Sequence, residues 1–216
     1  RAAQGAKPPI LVFIHGGYWR LLDKADFAFT APPYADAGIV YIPINYALIP
    51  AVTIDEILRQ VRAAIAWLYR NPDMHGGDLD RLYVSGHSAG GQLAPMALVH
   101  DWAADGLPAG LVKGAVAISG LHDLEAMRLC YLNEGMNLDD GMVRRNSPIH
   151  QVPPATRPMG PLLLSVGALE SPEFQRQQAD YAAAWNRSQA AARIVPAPGA
   201  IVALGMAGLL SARRRR

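Results

Sequence analysis

The stretch YVSGHSAGGQL, residues 83–93, decides the fold. It sets Ser88 between glycines, in the order Gly86, His87, Ser88, Ala89, Gly90, with Gly91 next. RLYVS (81–85) predicts a strand, and SAGGQLAPMALVH (88–100) predicts a helix that opens directly from it. A strand that turns at once into a helix strains the residue at the corner, and its neighbours must be small. The corner projects the hydroxyl from the sheet, where the helix N-terminus presents free N–H groups and its positive dipole end. Ser88 is therefore read as a nucleophile. His87, at the variable position, is read as a support for the corner and not as a base.

Working outward, strands alternate with helices. ILVFI (10–14), IVYIPI (39–44), GAVAIS (114–119) and GPLLLSVG (160–167) are short apolar runs bounded by turn residues. In TIDEILRQVRAAIAWLYRNP, Thr53 and Glu56 have capping-box spacing. Ile57, Val61, Ala64, Ile65 and Leu68 then form one helical stripe, which Asn71-Pro72 ends. PEFQRQQADYAAAWNRS (172–188) predicts a further helix packed through Phe174, Ala179, Tyr181 and Trp185. Such alternation gives an α/β fold, a mostly parallel sheet with helices on both faces. Residues 121–158 carry turn signals and read as an excursion over the edge where the strands end.

A second motif, HGGYW (15–19), follows the first strand. Acyl transfer needs N–H donors aimed at a developing oxyanion, and glycines let the backbone come close. The candidate donors are the N–H groups of Gly17 and Tyr18, with Ala89 as a third. HGG alone is weak; with a GxSxG pattern later in the chain it is specific.

With these motifs the chain resembles the α/β-hydrolase fold, and within it the α/β-hydrolase type of arylformamidase, or kynurenine formamidase. The resemblance spans roughly residues 8–193 and rests also on DKADFAFTAPPYADAG, NYALIPAVTIDEI, VKGAVAISGLHDLE, YLNE and SPEFQRQ. It implies hydrolysis of N-formyl-kynurenine to kynurenine and formate, in tryptophan breakdown, with small aryl esters as side substrates. The alternatives are a carboxylesterase of the same fold and a non-catalytic binding protein on a hydrolase scaffold. Tyr18 and Trp19 either flank an aromatic substrate or simply pack. The family's order of nucleophile, acid and histidine puts the acid at Glu170, in LLLSVGALESPEF, with Glu173 as runner-up. The resemblance implies a small-molecule substrate and a cytoplasmic setting, and leaves a homodimer open. It implies neither a metal nor a cofactor.

The histidine is the departure. His15, His75, His87, His100, His122 and His150 all precede Glu170, and none follows it. His122, after a strand end, is the least unfavourable substitute. Loss of the base in a serine hydrolase costs on the order of 10⁶ in turnover. The oxyanion hole and binding leave roughly 10³ to 10⁴ over water. These residues are thus expected to form an impaired enzyme that lacks the last strand and His loop, and also the first strands.

The chain has 216 residues, 51% of them hydrophobic, enough for one domain with a sizeable core. A net charge of +2 gives no general attraction to nucleic acid. The single cysteine, Cys130, excludes an intrachain disulfide and reads as an ordinary buried thiol. The hydrolase domain is assigned to residues 1–193 and an apolar tail with an Arg cluster to 194–216. No charge occurs over 194–212, and RRRR follows. This tail resembles a PEP-CTERM sorting signal, with PAP in place of PEP. The resemblance implies membrane contact through 194–216 and an envelope location, in conflict with the cytoplasmic expectation.

Overall fold

A computed structural model describes residues 7–189 and 192–197. Six strands form one sheet: β1 (Pro9–Ile14), β2 (Val40–Ile44), β3 (Asp78–His87), β4 (Ala115–Ile118), β5 (Leu162–Gly167) and β6 (Arg193–Ala197). Their spatial order is β2-β1-β3-β4-β5-β6, and every pairing is parallel. The helices are α1 (Ala31–Asp36), α2 (Ile54–Arg70), α3 (Ala89–Leu98), α4 (Glu125–Arg128), α5 (Asn133–Met136), α6 (Asp140–Asn146) and α7 (Pro172–Asn186).

The step from β1 to β2 runs one way across the sheet, and every later step runs the other way. Right-handed connections therefore put α1 on one face and α2, α3 and α7 on the other. The second face is the core. Ile10, Val12, Ile14, Leu82, Val84, Ala115, Ala117, Leu162 and Leu164 alternate onto it and are all buried. α2 presents Ile57, Val61, Ile65 and Leu68 there, as its apolar spacing requires, and the Thr53 side chain accepts from Glu56 N–H at its start. On the outer face α1 reaches β2, where Tyr34 stacks on Tyr41 with centroids 4.9 Å apart.

Three expectations are corrected. A last strand does form: β6 pairs with β5 through Leu164↔Ile194 and Ser165↔Val195, so residues 194–197 belong to the sheet and not to a tail. β-Branched Ile194 and Val195 suit a strand, and Pro196 is tolerated because β6 is an edge among the described strands. The rest of the expected tail, 198–216, lies outside the described residues. In α7, Ala179 is exposed, whereas Gln177 and Gln178 are buried. Cys130 is only half-buried. Among the described residues, no helix is long and apolar enough to cross a membrane.

Candidate active site

The site lies where the strands end. Ser88 stands between β3 and α3 with φ 56° and ψ −115°, a left-handed backbone that its surroundings must enforce. Its N–H donates to Ile118 O at 2.8 Å, and its carbonyl accepts from Gln92 N–H at 3.2 Å. The helix crosses β1 so closely that a Cβ on Gly90 would collide with the carbonyl of Ile14. Ala89 is the first residue of α3, so its N–H belongs to the set that finds no partner within the helix.

The HGG loop seats on this corner. A Cβ on Gly16 would lie 2.8 Å from His87 O and 3.0 Å from Ser88 Cβ. Gly17, Tyr18 and Trp19 follow with φ of 105°, 50° and 56°, and the Gly17 carbonyl accepts from the N–H groups of Arg20 and Leu21 at 3.0 Å each. The loop thus turns tightly beside the serine. His15 anchors it from below: its ring stacks on Tyr46 at 4.2 Å, and the Tyr46 hydroxyl donates to His15 O at 3.0 Å. Burial lowers the His15 pKa and raises that of Tyr46.

Trp19 does not flank a substrate. It is fully buried, and its indole N–H donates to Gln92 Oε1 at 3.1 Å. Gln92 Nε2 donates in turn to Asn146 O at 2.8 Å. The left-handed turn swings Trp19 under the loop, against α3. Tyr18 stays half-buried at the surface. Burial raises its phenol pKa, and the negative ends of Tyr131, Cys130 and Glu170 add to this.

Glu170 follows β5. Its Oε1 accepts from Ser119 Oγ at 2.5 Å and from Gly167 N–H at 2.8 Å. Ser119 ends β4 with φ 49° and is buried. It was not singled out in the sequence, although a serine at the end of the strand beside β5 is the available signal. Ser88 follows β3 and Glu170 follows β5, so both lie at the C-terminal edge of the parallel sheet, and the Glu170 charge raises the pKa of Tyr18 and opposes the lowering of that of His87. Glu173 is held by Arg176 at 2.7 Å on the surface turn of α7.

No histidine is hydrogen-bonded to Ser88 or Glu170 among the described residues. His122 lies in the core, stacked on Tyr181 at 4.5 Å, and burial holds its imidazole down to about 3. It is a neutral packing group, which corrects its reading as the least unfavourable base. His100 pairs with Asp105 at 2.8 Å, past the far end of α3. His75 contacts Leu68 O at 3.0 Å, and His150 is exposed. His87 flanks Ser88 in sequence, and burial lowers its pKa against an opposing pull from Glu170. Among the described residues, no three His, Cys, Asp or Glu side chains are grouped to hold a metal.

The BD-FAE family profile matches residues 1–159. The kynurenine formamidase of Salmo salar is 33% identical over 175 residues, 80% of this chain and 58% of that protein. That of Danio rerio is 32% identical over 177 residues, with the same coverage of each chain. This chain therefore spans under two thirds of the length of these relatives. In structure it is similar to a candidate thioesterase from a Silicibacter species, with a TM-score of 0.75, 28% identity, and coverage of 90% of this chain and 69% of that one. The chain therefore belongs to the BD-FAE family and is an arylformamidase-type α/β hydrolase in sequence and fold.

Proposed function

We propose that this chain is the body of a serine hydrolase acting on N-formyl-kynurenine, with Ser88 as nucleophile and Glu170 as acid. The observation that carries this reading is the seating of Gly16 against Ser88 Cβ, with Glu170 held by Ser119 on the same edge. Ser88 Oγ attacks the formyl carbon, and its proton passes to a base. N–H groups of Gly17, Tyr18 and Ala89 receive the oxyanion. The aryl amine leaves with a proton, and water then releases formate from the serine ester. Glu170 would orient an imidazole and stabilise its cation.

These 216 residues bring no imidazole between Ser88 and Glu170, so the proposal includes slow turnover by them as they stand. Exogenous imidazole is the test. N-formyl-kynurenine hydrolysis by the 216-residue protein is expected to be slow, to rise with imidazole in the buffer, and to vanish in Ser88→Ala. Unchanged hydrolysis in Ser88→Ala overturns the assignment. Faster turnover of p-nitrophenyl acetate, with no formamide cleavage, would identify a carboxylesterase. No described histidine is hydrogen-bonded to Ser88, which favours one second reading, a binding protein on a hydrolase scaffold. That reading predicts no labelling of Ser88 by a fluorophosphonate, with or without imidazole.

A further inference from the structure

Arg59, Arg128, Arg145 and Arg176 each fork onto a carboxylate, respectively Glu56, Glu125, Asp55 and Glu173. Arg20 does not. It is half-buried directly after HGGYW, and among the described residues its guanidinium has no hydrogen bond or ion pair. A guanidinium carries five N–H donors in a planar fork that fits a carboxylate. Two contacts hold this one in place. The Arg20 backbone N–H donates to the Gly17 carbonyl at 3.0 Å and closes a turn, so the two Cα atoms lie within about 7 Å. Gly16, one residue earlier, is the glycine seated on Ser88 Cβ. At the other end the guanidinium lies on Gly135 of α5. A Cβ on Gly135 would fall 2.9 Å from one Arg20 Nη, 3.0 Å from Cζ and 3.2 Å from the other Nη. These near-equal distances put the flat face of the group on Gly135 and leave its donor edge available. α5 belongs to the excursion that leaves β4 at the edge holding Ser88 and Glu170. An unpaired cation is thus fixed beside the loop that seats on the serine.

We propose that Arg20 binds the α-carboxylate of the substrate, and so selects aryl formamides that carry an amino-acid group over those that lack one. This rests on the reading of the chain as a hydrolase of N-formyl-kynurenine. That molecule presents its formyl group to Ser88 and carries a carboxylate at the far end of its side chain. Tyr131, four residues before Gly135, is 84% exposed, and Leu169, beside Glu170, is 82% exposed. Both offer apolar surface on this edge for an aromatic ring. The carboxylate takes no part in bond-making, so its contact with Arg20 is equally strong in the ground and transition states. Such a contact acts on binding and not on kcat.

Inhibition of Ser88-dependent p-nitrophenyl acetate hydrolysis by the full chain, with imidazole in the buffer, tests this without requiring formamide cleavage. The probes are L-kynurenine and kynuramine, which lacks only the carboxylate. L-Kynurenine is expected to inhibit at least about tenfold more tightly than kynuramine. Arg20→Gln should remove that difference by weakening L-kynurenine alone. Arg20→Lys keeps the charge but loses the fork, and should keep part of the difference. Gly135→Ala keeps both the charge and the helix but places a methyl where the guanidinium lies, and should also weaken L-kynurenine. Equal inhibition by the two ligands in the parent chain, a difference that survives Arg20→Gln, or an equal loss of both ligands in that variant would each overturn the role of Arg20. Each of these leaves the N-formyl-kynurenine reading standing where that hydrolysis still depends on Ser88. Inhibition by neither ligand would overturn the role of Arg20 and that reading together.

Discussion

Ser119 Oγ and Glu170 Oε1 stand 2.5 Å apart, a hydrogen bond that joins the ends of adjacent strands across 51 residues of chain. Gly167 N–H meets the same oxygen at 2.8 Å, so both donors fall on one carboxylate oxygen. The Glu170 carboxylate is thus fixed by its neighbours.

Removing that donor is expected to weaken the fold. Ser119→Ala should lower the unfolding free energy by about 1.5–3 kcal/mol, the range for hydrogen bonds to charged groups. Ser119→Gly loses the same bond but relieves a left-handed backbone at φ 49°. It should cost about 1 kcal/mol less than alanine. Urea titration of the two variants gives the order, and a glycine variant less stable than alanine contradicts it.

Trp19 is predicted to act through packing. Trp19→Ala should destabilise by about 3–5 kcal/mol. Trp19→Phe keeps most of the volume and leaves Gln92 Oε1 unpaired, at a cost of about 1–3 kcal/mol. If either variant kept parental stability and changed only the KM for an aryl substrate, the assignment of Trp19 to the core would be wrong.

The serine corner tolerates no side chain at Gly90, because the backbone of β1 occupies the space. Gly90→Ala is expected to abolish soluble expression or to cost more than about 3 kcal/mol. Gly110→Ala points into open space and should change stability by less than about 0.5 kcal/mol. Thermal melting of the pair checks the contrast.

Acid sensitivity should follow His122. In the unfolded chain its imidazole titrates near 6.5, and in the fold near about 3. Between these values the unfolded state binds the extra proton. Stability from this group is therefore complete above about pH 6.5 and falls on acidification, by about 1.4 kcal/mol per pH unit. In His122→Gln that contribution disappears. The stability difference between variant and parent should change with this slope from pH 6 to pH 4. A constant difference would mean that His122 is solvated in the native protein.

Much of this was legible along the chain. The strand-corner-helix pattern at 81–100 needs only local chemistry: apolar residues up to the corner, small residues around it, and a helix-forming run after it. Thr53 at the start of α2 and the periodic stripe behind it are equally local. Glu170 was legible only through the family resemblance, whose order of residues points to a carboxylate after this apolar strand. The edge strand β6 was harder to see, because Ile194 and Val195 merge with the apolar residues that follow. Only pairing with β5 separates them from that run.

What the sequence determined by itself is the order of elements and the strained serine, because each depends on neighbours a few residues apart. The tertiary structure alone decided which side chains meet. It turned Trp19 inward onto Gln92, buried His122 against Tyr181 and supplied Ser119 as the donor to Glu170. Each of these contacts spans tens of residues. Which partner wins is settled by strand order, crossover hand and the filling of the core, and local pattern carries no record of those.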